Sequence, residues 1–299
     1  MADRSFPLLE VCGTRPGPTV ALVAGVHGDE YEGPAALWRV LERVRPESLR
    51  GRLLVVPVAH LAAFAAGTRT SPNDGENLAR SFPGDPHGTV TQRLAHELFS
   101  ALIGPADLLV DLHSGGSRLA FLQVAGFYGP QEGISAAITA RSLEMARAMA
   151  LPCLWRMPGR AGVLSFEAMR AGVPATGCEA GGRGGCLDAD VEAYTRGVLG
   201  VLAQQGMIER PGDVPLPSLA SVCLDGDFAL APCGGFLEPL VTLGDRVRSG
   251  DALARIRAPI GEELCVLRAQ ADGLVMAERH LRSIQIGEWA TCAVREVPL

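Results

Sequence analysis

The strongest constraint on this chain's fold is an alternation of short, almost wholly apolar runs with segments of helical periodicity, which fills the first two thirds of its 299 residues. Thr19 to Ala24, Leu53 to Val58, Leu108 to Leu112 and Val173 to Cys178 are the apolar runs. Runs of this length without a polar face suit strands covered on both sides. Gly33 to Arg45, Thr89 to Ile103, Ser135 to Ala150 and Asp188 to Gln205 read as helices, the second with Leu94, Leu98 and Leu102 on one face. A shorter helix is expected over Ser165 to Arg170 with Ser165 as its N-cap. Strands alternating with helices predict an α/β domain with a largely parallel sheet.

The pattern changes near residue 210. Arg210 to Pro217 holds three prolines and reads as a linker. Beyond it, short runs are punctuated by Gly234-Gly235, Gly244-Asp245, Gly250-Asp251 and Gly287-Glu288, which suits a small all-β module. The expected division is therefore a catalytic domain over 1–210 and a C-terminal β domain over 218–299.

Composition removes several classes of function. The 27 basic residues are all arginine and the net charge is −6, so a nucleic-acid partner, which needs a basic footprint, is not expected. Without a lysine the chain has no Schiff-base, P-loop, biotinyl or lipoyl chemistry. The eight cysteines show no CxxC spacing, which fits free thiols in a reducing cytoplasm. The first ten residues lack the apolar core of a signal peptide, and the longest apolar stretch, Leu53 to Gly67, is broken by Pro57 and His60. A cytoplasmic protein with no membrane partner is expected.

Three short motifs stand where apolar runs end, and the carboxyl ends of strands are where open α/β sheets bind ligands. Gly25-Val26-His27-Gly28-Asp29-Glu30 puts an imidazole and a carboxylate three residues apart, between glycines that let the backbone turn sharply. Asp111-Leu112-His113 supplies a second imidazole at an equivalent strand end. A lone histidine there reads as well as a packed residue bonded to Asp111 or Ser114. Two together with Glu30 match a catalytic zinc set with an open position. Cys178-Glu179-Ala180-Gly181-Gly182 adds a carboxylate leaving a strand, either a solvated turn residue or a proton carrier for hydrolysis. The long segment Arg69 to Gly84 offers Arg69 and Arg80, each either solvated or an anion ligand.

Taken in order and spacing, these motifs, with Asn77-Leu78-Ala79-Arg80-Ser81-Phe82-Pro83-Gly84, resemble the succinylglutamate desuccinylase/aspartoacylase family of zinc amidohydrolases, related to zinc carboxypeptidases. The resemblance covers nearly the whole chain. It implies a zinc-carboxypeptidase-like mixed central sheet flanked by helices, followed by a small barrel-sandwich hybrid-like β domain. It implies one Zn2+ per chain on His27, Glu30 and His113, with Glu179 as general base and acid and Arg69 polarising the scissile carbonyl. Arg80 would hold a substrate carboxylate, and Asn77, grouped with it as substrate-binding, occupies a position whose family counterpart orients the first histidine. Two positions depart from the family pattern. Ala79 stands where an asparagine usually helps the arginine grip, and His60-Leu61 replaces an Asn-Pro after the second strand, with His60 read as either a packed or solvated residue or an extra pocket residue. The segment Gly244 to Asp251 is similar to biotinyl/lipoyl-type hammerhead domains, but the missing lysine removes the carrier role. That module is left either to wall the active-site mouth or to form a homo-oligomer interface.

The expected activity is zinc-dependent hydrolysis of the amide of an N-acyl amino acid or a related small carboxylate. A carboxypeptidase-like peptidase or esterase is the alternative, and a non-catalytic metal or small-molecule binder the reading from another class.

Overall fold

The apolar runs become the strands of one large mixed sheet. The computed structural model describes residues 5–131, 133–220 and 222–299. In the first part of the chain the strands are β1 (Leu9–Cys12), β2 (Arg15–Ala24), β3 (Arg50–Val56), β4 (Leu108–His113), β5 (Leu119–Tyr128), β6 (Cys153–Met157) and β7 (Ala175–Gly182). The helices are α1 (Glu32–Arg43), α2 (Leu61–Ala66), α3 (Val90–Ile103), α4 (Ala136–Ala148), α5 (Leu164–Arg170) and α6 (Asp188–Gln204). The strands lie in the order β1-β3-β2-β4-β7-β5-β6.

Side chains of the central strands alternate between two separate cores. Val20, Leu22 and Ala24 pack with α1, α4 and α6 through Leu37, Met145 and Tyr194. Ala21 and Val23 point the other way, onto Leu94, Leu98 and Leu102 of α3 and Leu164 and Met169 of α5. A sheet buried on both faces needs apolar residues at every position, which is why these strands read as continuous runs. Each fully buried leucine contributes about 1.5–3 kcal/mol of transfer free energy.

The sheet is mixed rather than largely parallel. β3, β2, β4 and β7 run parallel, but β1 is antiparallel to β3 and β5 is antiparallel to β7. The sequence reading missed β1, β5 and β6, because exposed Glu10 and half-buried Gln123 and Arg156 break their apolar patterns. β3 stops before Pro57, which has no N–H to give the ladder. Thr89 caps α3 in a reciprocal capping box with Gln92. Ser165 is not a cap: α5 begins at Leu164 after Val163, and the buried Ser165 hydroxyl pairs instead with the Tyr128 hydroxyl at 3.0 Å.

The strands beyond residue 221 are β8 (Val222–Asp225), β9 (Ala229–Leu230), β10 (Gly235–Pro239), β11 (Arg246–Val247), β12 (Ala252–Arg257), β13 (Glu263–Arg268), β14 (Gly273–Arg279), β15 (Ser283–Ile284) and β16 (Trp289–Pro298). β10, β12, β13 and β15 form a small antiparallel sheet. The others extend the main sheet: β8 pairs with β6, β16 with β8, β14 with β16, and β14 returns to the start of β5 at Ala277↔Phe121. β5, β6, β8, β16 and β14 thus close a ring whose interior holds Phe121, Trp155, Met276 and Cys292, with Phe228 and Trp289 packed against it. No helix among the described residues is long and apolar enough to cross a membrane.

Candidate active site

The three motifs read from strand ends meet at one edge of the parallel strands. β2 ends at Ala24, and Gly25, at φ +62°, turns the chain so that His27 and Glu30 face β4 before α1 starts. Gly28 is fixed by space: a Cβ there would lie 1.9 Å from the Ala63 carbonyl carbon of α2. His113 is the last residue of β4, and strand register sets it directly beside Glu179 of β7. Two side chains 66 positions apart in sequence therefore share one level of the sheet.

His27 Nδ1 lies 2.7 Å from Glu30 Oε1, and His113 Nδ1 lies 3.0 Å from Glu30 Oε2. One ligand atom from each of the three residues falls within 4.8 Å of the others. The opposite ring nitrogens are occupied by other groups. Asn77 Oδ1 stands 3.1 Å from His27 Nε2, and Asp111 Oδ1 3.2 Å from His113 Nε2. Such outer partners fix the ring orientation of metal-binding histidines. Asn77 is itself held by its neighbours, since its Oδ1 accepts from Ala79 N at 2.9 Å and caps the 3-10 turn Leu78–Arg80. The Tyr194 hydroxyl donates to the His113 carbonyl at 2.7 Å.

The donor set fits a divalent ion. Two Nδ1 atoms and a carboxylate converge, with His27 and Glu30 each 2% exposed, and imidazole nitrogen and carboxylate oxygen are donors that suit such an ion. Burial, aided by the Arg69 guanidinium, pushes the His27 imidazolium down to about 4, leaving the neutral ligand form at neutral pH. Burial also lowers His113, but the Asp111 and Glu30 carboxylates outweigh it and hold its imidazolium well above the usual range, so an ion displaces a proton there. Burial works to raise Glu30, and the two histidines overcome it, keeping Glu30 ionised.

Glu179 is in the opposite condition. Its Oε2 is buried without a hydrogen-bond partner among the described residues. Burial, with the nearby Glu30 and Asp111 carboxylates, pushes its carboxyl up to about 8 against the pull of His113 and Arg69. A carboxyl near neutral pH both takes and returns protons. Arg69 reaches the group as well, with Nη1 3.1 Å from Glu30 Oε1 and its guanidinium over the Trp289 ring at 5.8 Å. Arg80 lines the same cavity, and its Nη1 donates to the Ala79 carbonyl at 2.6 Å. His60 is packed, not part of the pocket: its Nδ1 accepts from Ala63 N at 3.4 Å and caps α2.

The cavity encloses about 100 Å³ and extends from His27, His113 and Glu179 to Arg160, Asp227, Phe228 and Trp289. The C-terminal segment therefore walls the pocket, one of the two roles read for it from sequence. Sequence reasoning offered this role but named none of the residues that fill it. Arg160, in the Pro158-Gly159-Arg160 turn after β6, carried a faint signal, but Asp227, Phe228 and Trp289 have no motif.

A mixed α/β scaffold carries at its strand ends a His-Glu-His group that could hold a metal ion, and comparison identifies the family that shares this scaffold. Residues 16–204 match the succinylglutamate desuccinylase/aspartoacylase catalytic domain. The chain is 35% identical over 281 residues to the N-alpha-acetyl-L-2,4-diaminobutyric acid deacetylase of Halomonas elongata, covering 91% of this chain and 80% of that one. It superposes on the product-bound ectoine utilization protein EutE (DoeB) of Ruegeria pomeroyi with a TM-score of 0.87 at 32% identity, over 97% of this chain and 89% of that one. The succinylglutamate desuccinylase/aspartoacylase structure from Rhodobacter sphaeroides gives 0.87 at 30% identity, over 98% and 90%. The chain belongs to the succinylglutamate desuccinylase/aspartoacylase family.

Proposed function

We propose that this protein is a zinc-dependent deacylase that hydrolyses the amide bond of a small N-acyl amino acid, N-acetylated diamino acids foremost. The observation that carries the reading is the register of β4 and β7, which sets the orphaned Glu179 carboxyl beside His113 and the convergent ligand atoms. The N-acetyl-diaminobutyrate deacetylase named above supports the substrate class.

His27, Glu30 and His113 would hold the ion, one per chain, with Asn77 and Asp111 fixing the two imidazoles. Zinc supplies a Lewis acid and lowers the pKa of water to about 7 when bound at such a set. Glu179 accepts a proton from the attacking water and returns it to the departing amine, its burial matching its affinity to both tasks. Arg69, beside the ligand group, donates to the oxyanion that develops on the acyl oxygen. Arg80, which lines the same pocket and bonds only a neutral carbonyl among the described residues, takes the substrate carboxylate. On this reading the scaffold has the zinc-carboxypeptidase layout. A catalytic domain over 1–210 is joined to a barrel-sandwich hybrid-like domain over 218–299.

The test is removal and return of metal. Chelator-treated protein should lose hydrolysis of N-acetyl amino acids and recover it at one equivalent of zinc, counted by elemental analysis. Activity that survives chelation, or that is confined to dipeptides in a mixed panel, overturns the proposal.

A further inference from the structure

The hydrolysis just described leaves two charged groups in the cavity without a task, Arg160 and Asp227, which pair with each other. We propose that Asp227 selects substrates whose amine half carries a positively charged side chain, so that N-acyl diamino acids are preferred to N-acyl amino acids with neutral or acidic side chains. The inference rests on the deacylase reading and deepens it.

The charges lining the cavity outside the histidines are Arg69, Arg80, Arg160, Glu179 and Asp227. Arg69 is paired with Glu30, and Glu179 stands at the ligand group. Arg80 bonds a neutral partner, the Ala79 carbonyl, and is open to an anion. A substrate cation is thus left with Asp227.

That carboxylate is held in place. Its Oδ1 accepts from Phe228 N at 2.8 Å and its Oδ2 from Arg160 at 2.7 Å. The Phe228 ring lies flat on Trp289 with centroids 4.4 Å apart and meets Phe121 edge-on at 5.7 Å. The stack anchors the backbone that carries Asp227. The ion pair is also accessible, with side chains 40% and 44% exposed. An ionised carboxylate accepts about four hydrogen bonds, and these contacts use two. An ammonium group therefore adds to the Arg160 contact without having to displace it. A carboxylate side chain in the same place meets a like charge.

The experiment compares three substrates of equal reach on zinc-loaded full-length protein. N-acetyl-L-2,4-diaminobutyrate ends in an ammonium, N-acetyl-L-norvaline in a methyl and N-acetyl-L-glutamate in a carboxylate. Wild-type kcat/KM should fall in that order. Asp227→Asn should reduce the diaminobutyrate-to-norvaline ratio about tenfold, the scale of a charge-assisted hydrogen bond at a part-exposed site. The loss should lie in KM, because the contact is the same in ground and transition states. Asp227→Glu should restore part of the ratio, which a purely structural role does not predict. An unchanged ratio in Asp227→Asn, or a wild-type preference for the glutamate compound, overturns the inference. If wild type hydrolyses none of the three, the deacylase reading fails separately. Calorimetric binding of free L-2,4-diaminobutyrate against L-norvaline to both proteins then decides the role of Asp227, equal affinities in wild type overturning it.

Discussion

At the inner end of the pocket His27 and Glu30 are 2% exposed, and their partners stand at the ends of neighbouring strands of one sheet. At the outer wall Arg160 and Asp227 are 40% and 44% exposed and come from segments 67 residues apart. The same kinds of charged group act differently in the two places. Away from water, electrostatic interactions are strong and an uncompensated charge is costly, so the inner group tolerates little change in geometry or charge. Water screens the wall, where a charge sorts substrates without governing the reaction. On the proposed reading the inner end does the chemistry and the wall sets the preference.

The largest effect that tests this division is expected at Glu179. Glu179→Gln keeps the shape and removes the proton acceptor, so turnover should fall about 10²–10⁴-fold with zinc retained. Steady-state kinetics with elemental analysis checks both halves, and near-normal turnover breaks the contrast at its inner end. Asp111→Asn should come next. It weakens the hold on His113 Nε2, and zinc affinity, measured by chelator competition, should drop about 10–100-fold. Unchanged affinity means that Asp111 belongs with the screened wall. The smallest effect concerns metal-free stability. The Glu179 carboxyl is raised from its ordinary 4.5 to about 8 by burial, so the folded state binds its proton more tightly than the unfolded chain. Its stabilising contribution is complete below the unfolded value and is lost as pH rises through about 8. Thermal melts of chelated wild type should decline relative to Glu179→Gln between pH of about 5 and about 9. Parallel curves would place Glu179 in contact with solvent.

Much of the inner site was legible because each piece is local. His27 and Glu30 sit in one turn, and the apolar runs that precede His27, His113 and Glu179 mark strand ends without any tertiary information. Asn77 was legible only through family resemblance, although the turn it caps is also local. The wall was illegible for a physical reason. β5 and β14 pair at Ala277↔Phe121 across more than half the chain, and this pairing closes the ring that carries Phe228 and Trp289. Nothing in the spacing of Asp227 announces a partner at Arg160.

By itself the sequence determined the two-sided burial of the central strands, the glycine turn at Gly25 and the placing of His27, His113 and Glu179 at strand ends, since each follows from side-chain polarity and backbone freedom over a few positions. Only the tertiary structure decided that the sheet is mixed and that Glu179 lies level with His113. It also decided that the C-terminal strands enclose the pocket, because register and ring closure depend on hydrogen bonds between segments far apart in the chain.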